Sequence, residues 1–167
     1  MRHQFQSLAR VIALAWVATL VAPGPKQLFS LMIAAPKEPL RVGAELRLLV
    51  TVTNTSDRNI SFITSPGLMP EDGFLYEISV RDSQGSPAPP SAYRRTMDKR
   101  IPTDYGSRFA RRLKPGESFV DQVTVTRFYD LSRPGNYTIS VTRPMPPRQN
   151  LGNGSVTSNA VTVTVTH

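Results

Sequence analysis

Apolar and polar residues alternate with a period of two along most of the chain after residue 26. The clearest run is Val161–Thr166, in which valine and threonine strictly alternate. Successive side chains of a strand point to opposite faces, so this pattern places one face on a core and the other in solvent. No stretch after residue 26 shows a convincing period of 3.6, and we expect no long helix. The predicted strands cover residues 27–34, 44–54, 59–64, 74–81, 118–127, 136–143 and 156–166.

Turn-forming residues separate these runs. Pro115-Gly116 precedes the strand at 118–127, and Pro134-Gly135 precedes the strand at 136–143. Proline fixes φ and glycine tolerates positive φ, which is what a tight turn requires. Seven short strands with such turns are typical of a two-sheet antiparallel sandwich. Two connections are long and irregular: residues 86–114, in which a short strand at 108–113 is one option, and a proline-rich stretch from residue 144 to 154.

A resemblance to a known fold lies in the segment Tyr129–Val141, which reads YDLSRPGNYTISV. It resembles the E–F corner and F strand of immunoglobulin-like and fibronectin type III-like domains, and Tyr137 matches their structural corner tyrosine. The turn LKPGE and the ending SNAVTVTV are similar to those of uncharacterised modules in bacterial exported proteins. The resemblance implies an immunoglobulin-like antiparallel β-sandwich of about seven strands over residues 25–167. The chain departs from antibody domains because Ile139 stands where they carry a cysteine.

The first 24 residues have a different composition. Arg2 and Arg10 are their only charged residues, and the run Val11–Ala22 is almost wholly apolar. A basic start followed by about a dozen apolar residues is typical of an export signal, whereas a membrane-spanning helix needs about 20. We therefore predict a signal peptide over residues 1–24 and a location in the periplasm, on the cell surface or outside the cell. A buried N-terminal helix and a retained anchor are the alternatives.

Residues suited to catalysis or metal binding are scarce. The chain contains no cysteine, and its two histidines are His3 and the C-terminal His167. Chain ends are usually loose, so neither histidine is expected to activate a nucleophile. Zinc ligands are therefore lacking, and Glu71-Asp72, the one adjacent acidic pair, is expected to form a turn. The sequence predicts neither an enzyme nor a bound metal or cofactor.

The net charge is concentrated in one segment, residues 94–114. This segment holds eight basic residues against two acidic ones, and the rest of the chain after residue 24 is balanced. Arginine's planar fork suits phosphate, sulfate or carboxylate groups. One interpretation is therefore a patch for an anionic partner, and the other is a solvated loop with an edge strand protected by charge. The candidate anion-binding residues are Arg94, Arg95, Lys99, Arg100, Arg108, Arg111, Arg112 and Lys114.

Two functional interpretations follow from these observations. The first is a non-enzymatic exported binding or structural module whose ligand is an anionic surface glycan or another polyanion. The second is an accessory or inhibitory domain that binds another exported protein, such as a protease, with Pro144–Arg148 as an inserted element. Because sandwich folds host many functions, the fold alone does not choose between them.

Overall fold

The computed structural model of the protein describes residues 27–64, 75–97, 109–145 and 154–167. The predicted signal peptide over residues 1–24 and the acidic pair Glu71-Asp72 lie outside these residues. Among the described residues strands predominate, so the predicted all-β fold class is confirmed. No helix in these ranges is long and apolar enough to cross a membrane.

The described residues form ten strands and two short helices. The strands are β1 (Phe29–Ala34), β2 (Leu40–Arg41), β3 (Arg47–Asn54), β4 (Ile60–Thr64), β5 (Glu77–Arg81), β6 (Phe109–Leu113), β7 (Ser118–Thr124), β8 (Gly135–Pro144), β9 (Ser155–Thr157) and β10 (Val161–Thr166). The helices are α1 (Ala92–Met97) and α2 (Val125–Phe128). Each of the longer strands overlaps a predicted one, β9 and β10 both fall in the strand predicted at 156–166, and β2 was not predicted.

The strands pair into three sheets. The first sheet has the order β1-β3-β7, and the second has the order β2-β10-β8-β5, with β9 also paired to β8. Strands β4 and β6 form a separate two-stranded ribbon. All pairings are antiparallel except that of β2 with β10. The apolar faces share one hydrophobic core, whose largest fully buried side chains include Phe29, Phe62, Leu46, Leu48, Ile60 and Ile139.

Asn54 marks the point where the β3–β7 pair gives way to the β4–β6 ribbon. Its carbonyl accepts a hydrogen bond from the backbone N–H of Gly116 at 2.9 Å. Its fully buried side-chain amide donates to the carbonyls of Arg58 and Leu113, and its Oδ1 accepts from the backbone and hydroxyl of Ser56. The Asn54 side chain therefore provides hydrogen-bond partners for backbone groups between the β3–β7 pair and the β4–β6 ribbon, where strand pairing does not.

Two predicted strands differ from the observed ones because polar side chains replace ladder bonds. The strand predicted at 118–127 ends at Thr124, and the next four residues form α2. There the hydroxyl of Thr126 accepts a hydrogen bond from the backbone N–H of Leu46. The strand predicted at 156–166 is divided into β9 and β10, because the Asn159 side chain both accepts from and donates to the backbone of Ile33. Asn159 thereby links the connection between β9 and β10 of the second sheet to β1 of the first sheet.

Candidate ligand-binding surface

The structure places the predicted basic residues in two separate groups. The first group lies on α1, which packs against α2 beside the start of β3. The second lies on β6 and the following turn, beside Asn54 at the end of β3. An eight-residue strand spans about 25 Å, so the groups do not form one patch. The first group is Arg94 and Arg95, the second is Arg111, Arg112 and Lys114, and Lys99, Arg100 and Arg108 lie outside the described residues.

The second group has the features of a charged strand and turn. The Arg111 guanidinium lies 5.4 Å from the ring centroid of Phe119, whereas Arg112 is exposed opposite Ser61 in the β4–β6 register. Lys114 is exposed in the turn, where its backbone N–H donates to the carboxylate of Glu117. Within the described residues β6 pairs only with β4, so these cations line a sheet edge and disfavour association of edges.

Ser91 fixes α1 onto α2. Its backbone N–H donates to the carbonyl of Phe128 at 2.9 Å, and its hydroxyl donates to the carbonyl of Arg127. The same hydroxyl accepts from the backbone N–H of Arg94 at 3.1 Å, as a residue preceding a helix commonly does. Three hydrogen bonds thus set the position of the side chains that α1 carries.

Aromatic rings and guanidinium groups interleave between the two helices. The guanidinium of Arg127 lies 4.2 Å from the ring centroid of Tyr93, and Tyr93 meets the edge of Phe128 at 5.9 Å between centroids. The guanidinium of Arg94 lies 4.9 Å from the ring centroid of Tyr129. Each such cation–π contact contributes on the order of 0.5–1 kcal/mol at partly exposed sites. We call Tyr93, Arg94, Arg95, Arg127 and Phe128 the α1–α2 surface.

The electrostatics of this surface favour an anion. The exposed Arg95 donates to the carbonyl of Pro90 at 2.9 Å. Hydrogen bonds from Ser132, aided by the nearby charge of Arg95, hold the pKa of the Asp130 carboxyl below its usual range. Among the described residues, Nε of Arg127 is the one buried side-chain nitrogen or oxygen without a hydrogen-bond partner. The surface therefore carries three guanidinium groups, of which those of Arg94 and Arg127 lie over aromatic rings.

Grooves lie on both sides of α1. One, which we call the α1–β5 groove, has a volume of about 430 Å³ and runs between α1 and the start of β5. Its lining includes Glu77, Arg94, Met97, Phe128, Thr142 and Ser155. The other lies on the opposite side of the helix, has a volume of about 510 Å³ and is lined in part by Arg95, Thr126 and Asp130. Both grooves are open to solvent and of a size suited to small ligands.

A buried arginine that the sequence analysis missed connects all three sheets. Arg143 of β8 is 4% exposed and donates hydrogen bonds to the hydroxyl of Tyr76 and the carbonyl of Ile63, both at 2.5 Å. Its guanidinium also lies 3.6 Å from the carboxylate of Asp121 on β7. Burial raises the pKa of the Tyr76 hydroxyl far above its usual value, so that hydroxyl stays protonated and donates to Asp121. The sequence did contain a sign of this buried arginine, because the alternation places Arg143 on the inward-facing side of its strand.

An apolar patch lies on the outward face of the first sheet. Met32, Leu49 and Val120 are each more than half exposed on three neighbouring strands. Met32 and Val120 are both register partners of Thr51, so the three strands present them in one row. Exposed apolar side chains that are contiguous often mark a protein contact.

Tyr137, which the resemblance identified as a structural corner residue, lies at the start of β8. The hydroxyl of Tyr137 donates to the carbonyl of Arg133, four residues upstream, at 2.8 Å. Tyr137 itself is buried. Among the described residues no group of three or more histidine, cysteine, aspartate or glutamate side chains is arranged to hold a metal ion.

Comparisons with known proteins give no family. No protein-family model matches the chain, and no curated protein matches it. Among solved structures it is similar to the C-terminal domain of wzt, with 11% identity and a TM-score of 0.49 over 85% of this chain and 75% of that one. It is also similar to β-glucosidases from Erythrobacter marinus (18% identity, TM-score 0.41) and Listeria innocua (15% identity, TM-score 0.42). Both matches include 83% of this chain but only 15% and 16% of the respective enzymes. Likenesses of this degree identify neither an activity nor a ligand.

Proposed function

We propose that the protein is an exported, non-enzymatic binding module that recognises an anionic glycan through the α1–α2 surface. A signal peptide at residues 1–24 directs export, and residues 25–167 form the binding domain. The observation that carries the proposal is the pair of guanidinium groups, those of Arg94 and Arg127, held over aromatic rings, with the exposed Arg95 beside them. Guanidinium groups bind sulfate and carboxylate, and aromatic rings offer a flat apolar face to sugar rings.

We also propose that the domain is an immunoglobulin-like sandwich. The strand orders support this assignment. If β1, β3 and β7 are strands A, B and E, then β5, β8 and β10 are strands C, F and G, and their order in the second sheet is that of the C-F-G sheet. The hydrogen bond from the Tyr137 hydroxyl to upstream backbone supports it further.

A salt-dependent binding measurement tests the proposed function. We expect the full-length chain to bind heparin-agarose and to elute at a defined sodium chloride concentration. The double variant Arg94→Ala/Arg95→Ala should elute at lower salt and bind roughly tenfold to a hundredfold more weakly, because each charge-assisted hydrogen bond contributes on the order of 1.5 kcal/mol. The matched control is Arg111→Ala/Arg112→Ala, which removes the same charge from β6.

The comparison of these two variants decides the proposal. If both double variants shift elution equally, binding depends on net charge and not on the α1–α2 surface. If neither shifts it, the surface does not bind anions. A selective loss with the α1 variant supports the proposal, because the two variants differ only in where the charge is removed.

A second function is favoured by the apolar patch of Met32, Leu49 and Val120. An accessory or inhibitory domain of another exported protein, such as a protease, would use such a patch. The other element suggested for that role, Pro144–Arg148, lies mostly outside the described residues. Capture of one dominant protein from the secretome by the native chain, lost with Leu49→Lys but not with Arg94→Ala/Arg95→Ala, would favour this function over glycan binding.

A further inference from the structure

The α1–β5 groove combines a cation, a carboxylate, hydroxyl groups and apolar surface. The helix side contributes Arg94, Met97 and Phe128, and the sheet side contributes Glu77 and Thr142. A volume of about 430 Å³ is sufficient for a small organic ligand. The groove therefore offers more than positive charge, and its mixed chemistry restricts the class of ligand.

Arg94 is held at the groove on a fixed platform. Its guanidinium lies over the ring of Tyr129, with 4.9 Å between the guanidinium carbon and the ring centroid. Tyr129 is nearly buried, and its hydroxyl donates to the carbonyl of Ile78 in β5. A guanidinium held in place in this way suits a carboxylate or sulfate group.

Glu77 gives the groove a feature that a simple polyanion site lacks. It is exposed and lies opposite Thr142 in the β5–β8 register, and the Thr142 hydroxyl shares a hydrogen bond of 2.9 Å with Thr157. A carboxylate accepts hydrogen bonds from hydroxyl groups and repels any anionic group placed beside it, so the acid group of a ligand must lie on the Arg94 side of the groove and its hydroxyl groups beside Glu77. Met97 and Phe128 provide apolar surface for the C–H face of a sugar ring. A ligand that satisfies all of these groups carries both an acid group and hydroxyls.

We infer that the α1–β5 groove binds an acidic sugar unit, with its carboxylate or sulfate on Arg94 and its hydroxyl groups on Glu77. The inference rests on the proposed function, because Arg94 belongs to the α1–α2 surface. It adds the position of one sugar unit and the requirement for an uncharged, hydroxyl-bearing part of the ligand. A polyphosphate or a nucleic acid backbone has the charge but does not use Glu77.

Removing Glu77 should affect the two ligand classes differently. Calorimetric titrations of the full-length chain would use a hyaluronan tetrasaccharide, a heparin tetrasaccharide and tripolyphosphate. In Glu77→Ala we expect saccharide affinity to fall about tenfold, as for loss of a charge-assisted hydrogen bond, and tripolyphosphate affinity to stay constant or rise. The control Glu38→Ala removes the same charge from an exposed position between β1 and β2 and should leave saccharide affinity unchanged.

A second variant tests the apolar wall. Phe128→Leu keeps an apolar side chain on α2 but removes the ring, and we expect saccharide affinity to fall while tripolyphosphate affinity does not. Circular dichroism checks whether the variant is folded. Binding of the hyaluronan tetrasaccharide, whose acid groups are all carboxylates, would show that a carboxylate is sufficient, since heparin carries both carboxylate and sulfate groups.

The outcomes separate the inference from the proposed function. If Arg94→Ala/Arg95→Ala lowers heparin retention but Glu77→Ala leaves both tetrasaccharide affinities unchanged or raises them, the α1–α2 surface binds anions and the groove inference is wrong. If the native chain binds neither heparin-agarose nor a tetrasaccharide, both are wrong. A selective loss of saccharide affinity in Glu77→Ala and Phe128→Leu supports the inference.

Discussion

Replacing Arg143 by methionine should destabilise the protein strongly, because Arg143 joins three sheets through one buried guanidinium. Methionine keeps the unbranched apolar stem but removes the hydrogen bonds to Tyr76 and Ile63 and the ion pair with Asp121. It also removes cation–π contacts with the rings of Tyr76, Phe62 and Phe119, whose centroids lie 4.8, 5.3 and 5.6 Å from the guanidinium carbon.

The size of the effect follows from what remains after the substitution. Removing one partner of a buried ion pair costs about 3–5 kcal/mol, because the other charge is left without compensation. The side chain of Asp121 is 17% exposed and keeps the hydrogen bond from Tyr76, so water and that hydroxyl offset part of the loss. We therefore expect the free energy of unfolding to fall by about 3 kcal/mol.

Urea unfolding monitored by circular dichroism measures this loss. The control Arg112→Met removes an exposed arginine from β6 and should change the free energy of unfolding by less than about 0.5 kcal/mol. The double variant Arg143→Met/Asp121→Asn should recover about 1 kcal/mol or more relative to the sum of the single variants, because the uncompensated carboxylate is gone. A loss below about 1 kcal/mol in Arg143→Met, close to the ordinary effect of a point substitution, would refute the reasoning.

Three further predictions concern Tyr76, Asn54 and Gly116. Burial raises the pKa of Tyr76 in the folded state, so the unfolded chain loses this proton first and stability should fall above pH 10 by about 1.4 kcal/mol per pH unit. Urea titrations at pH 9, 10 and 11 measure this slope, which Tyr76→Phe should reduce. Asn54→Ala should cost about 2–4 kcal/mol in urea unfolding, since it leaves buried backbone groups unpaired. Gly116→Ala should cost about 1 kcal/mol, because Gly116 has φ of 79°, and an unchanged melting temperature would contradict this.

The strands were predictable because alternation and turn chemistry agree along the chain. The Val161–Thr166 run forms β10 with its valines at 163 and 165 buried, as the pattern requires. Gly116 and Gly135 both have positive φ at the turns that the Pro-Gly pairs predicted. These features depend on neighbours in sequence, so a single sequence reveals them.

The remaining features depend on groups that are distant in sequence. The strand predicted at 118–127 ends early because Thr126 bonds to Leu46, 80 residues away. Asn159 divides the last predicted strand through bonds to Ile33, at a separation of 126 residues. Periodicity carries no information about such partners. The inward position of Arg143 was visible in the alternation, but its acceptors were not.

The basic segment shows why a charge run does not predict a surface by itself. Arg94 and Arg111 are 17 positions apart, yet α1 lies beside the start of β3 and β6 follows the bend at its other end. The first group differs from the second in its neighbours on α2, which are distant in sequence. Arg127 adds a third guanidinium beside Arg94 and Arg95, and Phe128 adds an aromatic ring. The location of an anion site therefore follows from the packing of α1 on α2, and the difference in charge between the two groups is too small to decide it.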